Sequence, residues 1–235
     1  MVAISKKLGK GIYSPRDAAL YARVKTQLMS RWILGNSQGK PVVKREIEDS
    51  SDSTVTFLDF IQALSIRAIR TQYSHIPLQK IREAANTATE KYEVEYPFAR
   101  PHSTYIIKKG RNTGEIVLRL GDDDDRFVQI TGKMKDQHLL GPIAELYMEN
   151  IKYDEDDYAS EYRPWSTLEG GAILMNPHRR FGEPLVEECG YSARALWEAA
   201  ITEGGIEAAA NSYGVEPAHV KLACNYFDHL TNASS

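Results

Sequence analysis

At 235 residues, with 42% hydrophobic and 26% charged side chains and a net charge of −3, the chain has the make-up of an ordinary globular protein. It is long enough for two buried cores. No run reaches the roughly 18 apolar residues that cross a bilayer. The opening MVAISKKLGKG holds no apolar core of signal-peptide length, so a cytoplasmic protein is expected.

Charge is spread unevenly. Residues 1–45 hold ten Lys/Arg against one acid, Asp17, which puts +9 on that segment and −12 on the remainder. A basic head on an acidic body favours DNA contact by the head and another partner for the body. The two cysteines, Cys189 and Cys224, form no CxxC pair and lack histidines at metal spacing. They read as small half-buried hydrophobes.

Ser14, Pro15 and Asp17 give an N-cap, a first-turn proline and an acid three residues after the cap, so a helix starts there. Val24–Lys25 reads as a turn. Thr26 is the expected cap of a second helix, with Leu28, Met29, Trp32 and Ile33 buried and Gly35 ending it. The pair has the helix-turn-helix pattern. The polar stretch 36–53 holds a short basic strand, Pro41–Arg45, in the place of a wing. Residues 54–74 and 76–94 follow as two helices, the first with Phe57, Ile61, Leu64 and Ala68 at helical spacing.

The period then changes. TYIIKK, GEIVLRL and RFVQIT, split at Gly110–Gly114 and Gly121–Asp125, predict a small antiparallel sheet. GPIAELYMENI (141–151) is expected to be helical, and Ala159–Trp165 and Gly171–Met175 extended. Ser192 caps a helix running to about Glu203, Gly204–Gly205 breaks it, Ile206–Tyr213 follows, and Pro217–Leu230 is the last. The expected fold is α+β. It has an N-terminal winged helix-turn-helix with helical extension (1–100), a small central antiparallel sheet (101–170) and a C-terminal three-helix, helix-turn-helix-like domain (171–235).

The run YSPRDAALYARVKTQLMSRW resembles the opening of MerR-like winged helix-turn-helix regulators, and His75-Ile-Pro-Leu-Gln-Lys-Ile-Arg-Glu-Ala84 resembles their later helical motif. The tail from Ile173, with Arg180-Phe181-Gly182-Glu183-Pro184 leading into a helix and the phrase around Tyr213-Gly214-Val215, looks like a small three-helix antitoxin domain. As a whole the chain resembles the larger VapB-like antitoxins. The resemblance implies a type II antitoxin that binds and blocks a PIN-like ribonuclease toxin and represses its own operon by binding operator DNA. It would act as a homodimer or a toxin–antitoxin hetero-oligomer.

The residues suited to DNA are Ser14, Arg16, Lys25, Thr26, Gln27, Ser30 and Arg31 on the helix pair, and Lys40, Lys44 and Arg45 on the expected wing. Guanidinium and ammonium groups meet phosphate or a guanine edge, and Gln27 can read a base. A solvated basic face is the competing reading. Trp32 reads as core. Arg179, Arg180 and Phe181 form a basic, aromatic turn. They are the candidate partner contacts, because a nuclease that gathers carboxylates around a metal offers arginine an acidic site.

Asp122–Asp125 and Asp154–Asp157 lack the alternation and terminal glutamate of a calcium loop and read as solvated turns. The six histidines are scattered, without HExxH or a nucleophile–base spacing, and no phosphate-loop motif occurs. The expectation is therefore a binding protein with no catalytic residues, metal or cofactor. The competing function is a stand-alone MerR-like regulator with the central sheet as its effector module.

Overall fold

The computed structural model describes residues 9–35, 39–47, 49, 51–101, 104–109, 113–119, 127–129, 139–142, 150–168 and 171–232. The fold is α+β, with seven α-helices and antiparallel sheet among these residues. The chain divides into two units. One is Ser14–Ala159; the other joins residues 9–13 to 160–232.

Residues 9–13 end in β1 (Ile12–Tyr13). They belong with the C-terminal residues for a local reason: the buried Tyr13 hydroxyl donates to the Gly182 carbonyl at 2.8 Å. Gly9 lies so close to the His178 imidazole that a β-carbon there would stand 3.2 Å from it. Nothing in the local pattern of residues 9–13 announces either contact.

In the unit Ser14–Ala159, α1 (Pro15–Tyr21) starts as the cap residues dictate. Ser14 Oγ accepts the Asp17 N–H at 3.0 Å and donates to the Asp17 carboxylate at 2.7 Å. Arg23, in a left-handed conformation at φ 51°, turns the chain into α2 (Thr26–Ile33). Lys25, not Thr26, is the N-cap of α2, and no side chain caps it. Met29, Trp32 and Ile33 are buried with Ala18, Ala19 and Tyr21, while Leu28 is 37% exposed instead of buried. Fully burying a side chain of this size contributes about 1.5–3 kcal/mol.

The expected wing strand is a correction. Residues 41–45 form no strand. Both Val42 and Val43 are buried, whereas alternation would send one of two neighbours outward. The Val42 N–H donates to the Trp32 carbonyl at 2.7 Å, which folds the segment back under α2 as a packed loop.

After β2 (Val55–Thr56), α3 (Phe57–Gln72) opens on a full capping box. The Asp59 N–H donates to Thr56 Oγ1 at 3.3 Å, and the Asp59 carboxylate accepts the Thr56 N–H at 3.2 Å. The buried row Phe57, Phe60, Ile61, Leu64, Ala68 and Ile69 makes α3 the core helix of the unit. The next helix, α4 (Leu78–Tyr92), buries Ile81, Ala84, Ala85 and Ala88 and ends at the left-handed Glu93.

The central sheet has the order β5-β4-β3-β6, all neighbours antiparallel, from β3 (Thr104–Lys109), β4 (Thr113–Arg119), β5 (Phe127–Gln129) and β6 (Leu139–Pro142). Gly141 and Pro142, expected to begin a helix, lie in β6. Ile151, expected to end that helix, starts β7 (Ile151–Tyr153), and 143–149 fall outside the described residues, as do Asp122–Asp125. The Asp154–Asp157 run caps its own turn, with the Asp154 carboxylate accepting the N–H groups of Asp156 and Tyr158 at 3.0 and 2.9 Å.

In the other unit, β8 (Ala159–Ser166), β9 (Ala172–Met175) and β10 (Leu185–Val186) run antiparallel, with a register shift between Tyr162 and Trp165. Three helices follow: α5 (Ala193–Thr202), α6 (Ile206–Tyr213) and α7 (Pro217–Asn232). Ser192 caps α5 by accepting the Ala195 N–H, and Gly214, at φ 64°, ends α6. Trp197 stacks on Phe227 at 4.9 Å and 11°, and Leu196, Val220, Ala223 and Leu230 are buried beside that pair.

Candidate functional site

The basic residues expected to meet DNA separate into two groups. Arg16, Lys25, Thr26, Gln27 and Arg31 are exposed, and Ser30 is half-buried. They lie on a helix pair whose apolar side is closed by Met29, Trp32 and Ile33. The amphipathic α2 thus turns a polar, cationic surface outward. The Ser14 hydroxyl is engaged on both counts, as donor and as acceptor, with Asp17. Its role here is the cap.

The loop after α2 divides likewise. Lys40 is exposed. Lys44 is exposed and pairs with Glu95 at 3.2 Å, a surface contact worth little in itself. Arg45 is a correction. It is 9% exposed, and its guanidinium donates to three carbonyls, of Asp52 at 2.6 Å, Thr54 at 3.0 Å and Asp49 at 3.2 Å. Its fork is spent on closing the 45–54 loop and is not turned to a phosphate.

The loop is fastened from two helices. From α3, the Asp59 carboxylate accepts the Glu46 N–H at 3.1 Å and the fully buried Gln62 donates to the Lys44 carbonyl at 3.3 Å. Burial lifts the Asp59 carboxyl from its ordinary 3.8 to about 6, against the opposite pull of the Thr56 and Glu46 N–H bonds. From α4, Arg82 donates to the carbonyls of Pro41 and Lys40, each at 3.1 Å. Sequence reasoning missed Asp59, Gln62 and Arg82. The Thr56-x-x-Asp59 spacing is a capping signature and could have flagged the first; long-range bonds to backbone leave no mark in sequence.

The second candidate surface is the turn at residues 178–182. His178, Arg179, Arg180 and Phe181 are all exposed, Phe181 by 58%. Arg180 and Phe181 hold left-handed backbone, at φ 44° and 58°, which costs non-glycine residues on the order of 1 kcal/mol each. The turn is held from below. Asn176 Oδ1 accepts the His178 N–H at 2.8 Å, Tyr13 fixes the Gly182 carbonyl, and Arg180 lies 3.6 Å from the Glu183 carboxylate, which also accepts the Ser192 hydroxyl. Gly182, at φ 85°, is required where Tyr13 crosses, since the phenol Cζ would stand 3.0 Å from any β-carbon. The result is a rigid support under exposed guanidiniums and a phenyl ring.

Among the described residues no group of three His, Cys, Asp or Glu could hold a metal ion. Burial raises both cysteine thiols above their ordinary range. No helix among those residues is long and apolar enough to cross a membrane.

Taken as a class, this is an α+β protein carrying a capped, cationic helix pair on one unit and a three-helix bundle behind an arginine-rich turn on the other. No protein-family model matches the chain, and no curated protein matches it. The crystal structure of Rv2018 from Mycobacterium tuberculosis is similar, with a TM-score of 0.57 at 16% identity over 90% of this chain and 96% of that one. At that identity the likeness speaks to the fold.

Proposed function

We propose that the chain is the antitoxin of a type II toxin–antitoxin pair, which binds DNA at its own operon and blocks a PIN-like ribonuclease in the cytoplasm. The observation that carries the reading is the presence of two separate exposed cationic surfaces on two units, the second with an exposed phenyl ring beside its arginines. One is the basic face of the helix pair, with Arg16 on α1, Lys25 at the α2 N-cap and Gln27 and Arg31 on α2; the other is the Arg179–Arg180–Phe181 turn, with Arg180 and Phe181 in left-handed backbone.

The mechanism is binding. The face of α2 enters the major groove, with Arg31 and Gln27 at base edges and Arg16 and Lys25 on phosphates. The arginines of the turn meet the nuclease's carboxylates, where charge-assisted bonds are stronger than neutral ones, while Phe181 contributes apolar area.

Co-expression with the product of the adjacent gene, followed by size exclusion and a promoter-DNA shift, tests both halves. A co-eluting pair that shifts the promoter supports the antitoxin. A chain that elutes alone and still shifts DNA turns the reading to the stand-alone regulator, with the central sheet as its effector module.

A further inference from the structure

The helix that carries the motif His75–Ala84 contributes no exposed basic face to the reading above, yet one of its side chains reaches across 41 residues to the loop behind α2. Arg82 Nε donates to the Pro41 carbonyl and Nη2 to the Lys40 carbonyl, both at 3.1 Å, while Nη1 donates to Gln79 Oε1 at 2.8 Å. On the next residue, the Val42 N–H bonds the last turn of α2 at the Trp32 carbonyl. Gly35, at φ 77°, lets the chain double back so tightly that a β-carbon there would stand 2.9 Å from the Gly39 carbonyl. The backbone of Lys40 is thus clamped from both sides beside α2, and its ammonium is left on the surface.

We propose that Arg82 is a positioning residue for DNA binding: it touches no DNA, and holds the Lys40 backbone so that the Lys40 ammonium meets a phosphate flanking the groove that α2 enters. This rests on the DNA-binding reading of α2. The physical ground is preorganisation. A lysine on a free loop spends its phosphate contact on ordering the loop, whereas a clamped one does not. A planar guanidinium can bridge two successive carbonyls while a third edge is fixed on its own helix; an ammonium on a flexible stem cannot hold that geometry.

The test uses the full chain and a 30-base-pair duplex from upstream of its own reading frame, titrated by fluorescence anisotropy over a range of salt. R82Q and K40A are each expected to weaken binding about fivefold to tenfold and to lower the salt slope by about one phosphate contact. The double variant K40A/R82Q should bind no more weakly than K40A, because Arg82 acts through Lys40. R82K keeps the charge and stem, and it should bind as weakly as R82Q. Amide exchange at Val42 and Val43 in the free protein should speed up in both Arg82 variants while the thermal midpoint moves little.

Wild-type affinity in R82Q, additive losses in the double variant, or recovery in R82K would overturn the proposal; the last would put Arg82 itself on a phosphate. Wild-type protein that binds no duplex removes the DNA reading and this proposal together. Wild-type binding with R82Q unaffected removes this proposal alone.

Discussion

The amide of Glu46 donates to the carboxylate of Asp59 across 3.1 Å. That bond ties the loop behind the cationic helix α2 to the first turn of α3, through a side chain that is completely buried. Loop position and helix cap therefore depend on one ionisable group.

Asp59 sets a pH dependence with a definite sign. Its folded carboxyl titrates at about 6, above the ordinary 3.8. Between those values the folded protein binds more protons than the unfolded chain. Stability from this group therefore falls as pH rises through that window, and its cost is fully present at neutral pH. Thermal denaturation of wild type and Asp59→Asn at pH 4.5 and 7.5 checks this. Wild type should gain on the variant at the lower pH, and a constant difference would refute it.

Arg45 and Arg31 should part company. Arg45→Ala takes the guanidinium from three part-buried carbonyl bonds and is expected to destabilise the unit Ser14–Ala159 by about 1–3 kcal/mol, with Arg45→Lys a poor rescue. Arg31→Ala, at an exposed position, should leave the thermal midpoint within about a degree or two and weaken promoter binding by about tenfold. Calorimetry and a shift assay on both variants separate the roles. Arg45→Ala protein that stays folded yet loses DNA would return Arg45 to the interface.

The helix ends were readable because capping is local. Ser14 with Pro15, Ser192, and Gly214 each stand where the sequence puts them. The burial of Val220, Ala223, Phe227 and Leu230 also follows from helical spacing. What could not be read was decided at long range. Val42 and Val43 look like a strand, and become a packed loop because the Val42 amide finds Trp32. Arg45 looks like any cation of a basic head until the 49–54 carbonyls close on it. Of the candidate DNA surface, the exposed set on α2 was in the sequence; the side chains of Asp59, Gln62 and Arg82 that hold the neighbouring loop were not.

Two substitutions probe the support under the arginine turn. Tyr13→Phe leaves the Gly182 carbonyl without its phenol donor and should cost about 1–2 kcal/mol. Gly182→Ala should cost more, because it combines a β-carbon against the Tyr13 ring with a left-handed backbone. Denaturant titration followed at Trp197 reads both. Equal effects of the two would mean that Tyr13 does not cross the turn as closely as described.

Arg179→Ala/Arg180→Ala should abolish co-elution with the adjacent gene's product without altering promoter binding, since both side chains are exposed and lie on the other unit from α2. Size exclusion and the shift assay on one preparation give both readings. Retained co-elution would move the partner surface elsewhere.

The bond between Tyr13 and Gly182 spans 169 positions, and the whole unit Ser14–Ala159 lies between them in the chain. On the ribosome, that unit is synthesised in full before the segment bearing Gly182 exists. It can therefore begin folding on the nascent chain, while the Tyr13 hydroxyl, made before that unit, waits until the chain has reached Gly182 for this bond to form. For this one bond the order of synthesis and the order of completion run opposite ways: the donor is made before the unit Ser14–Ala159, and the contact closes after it.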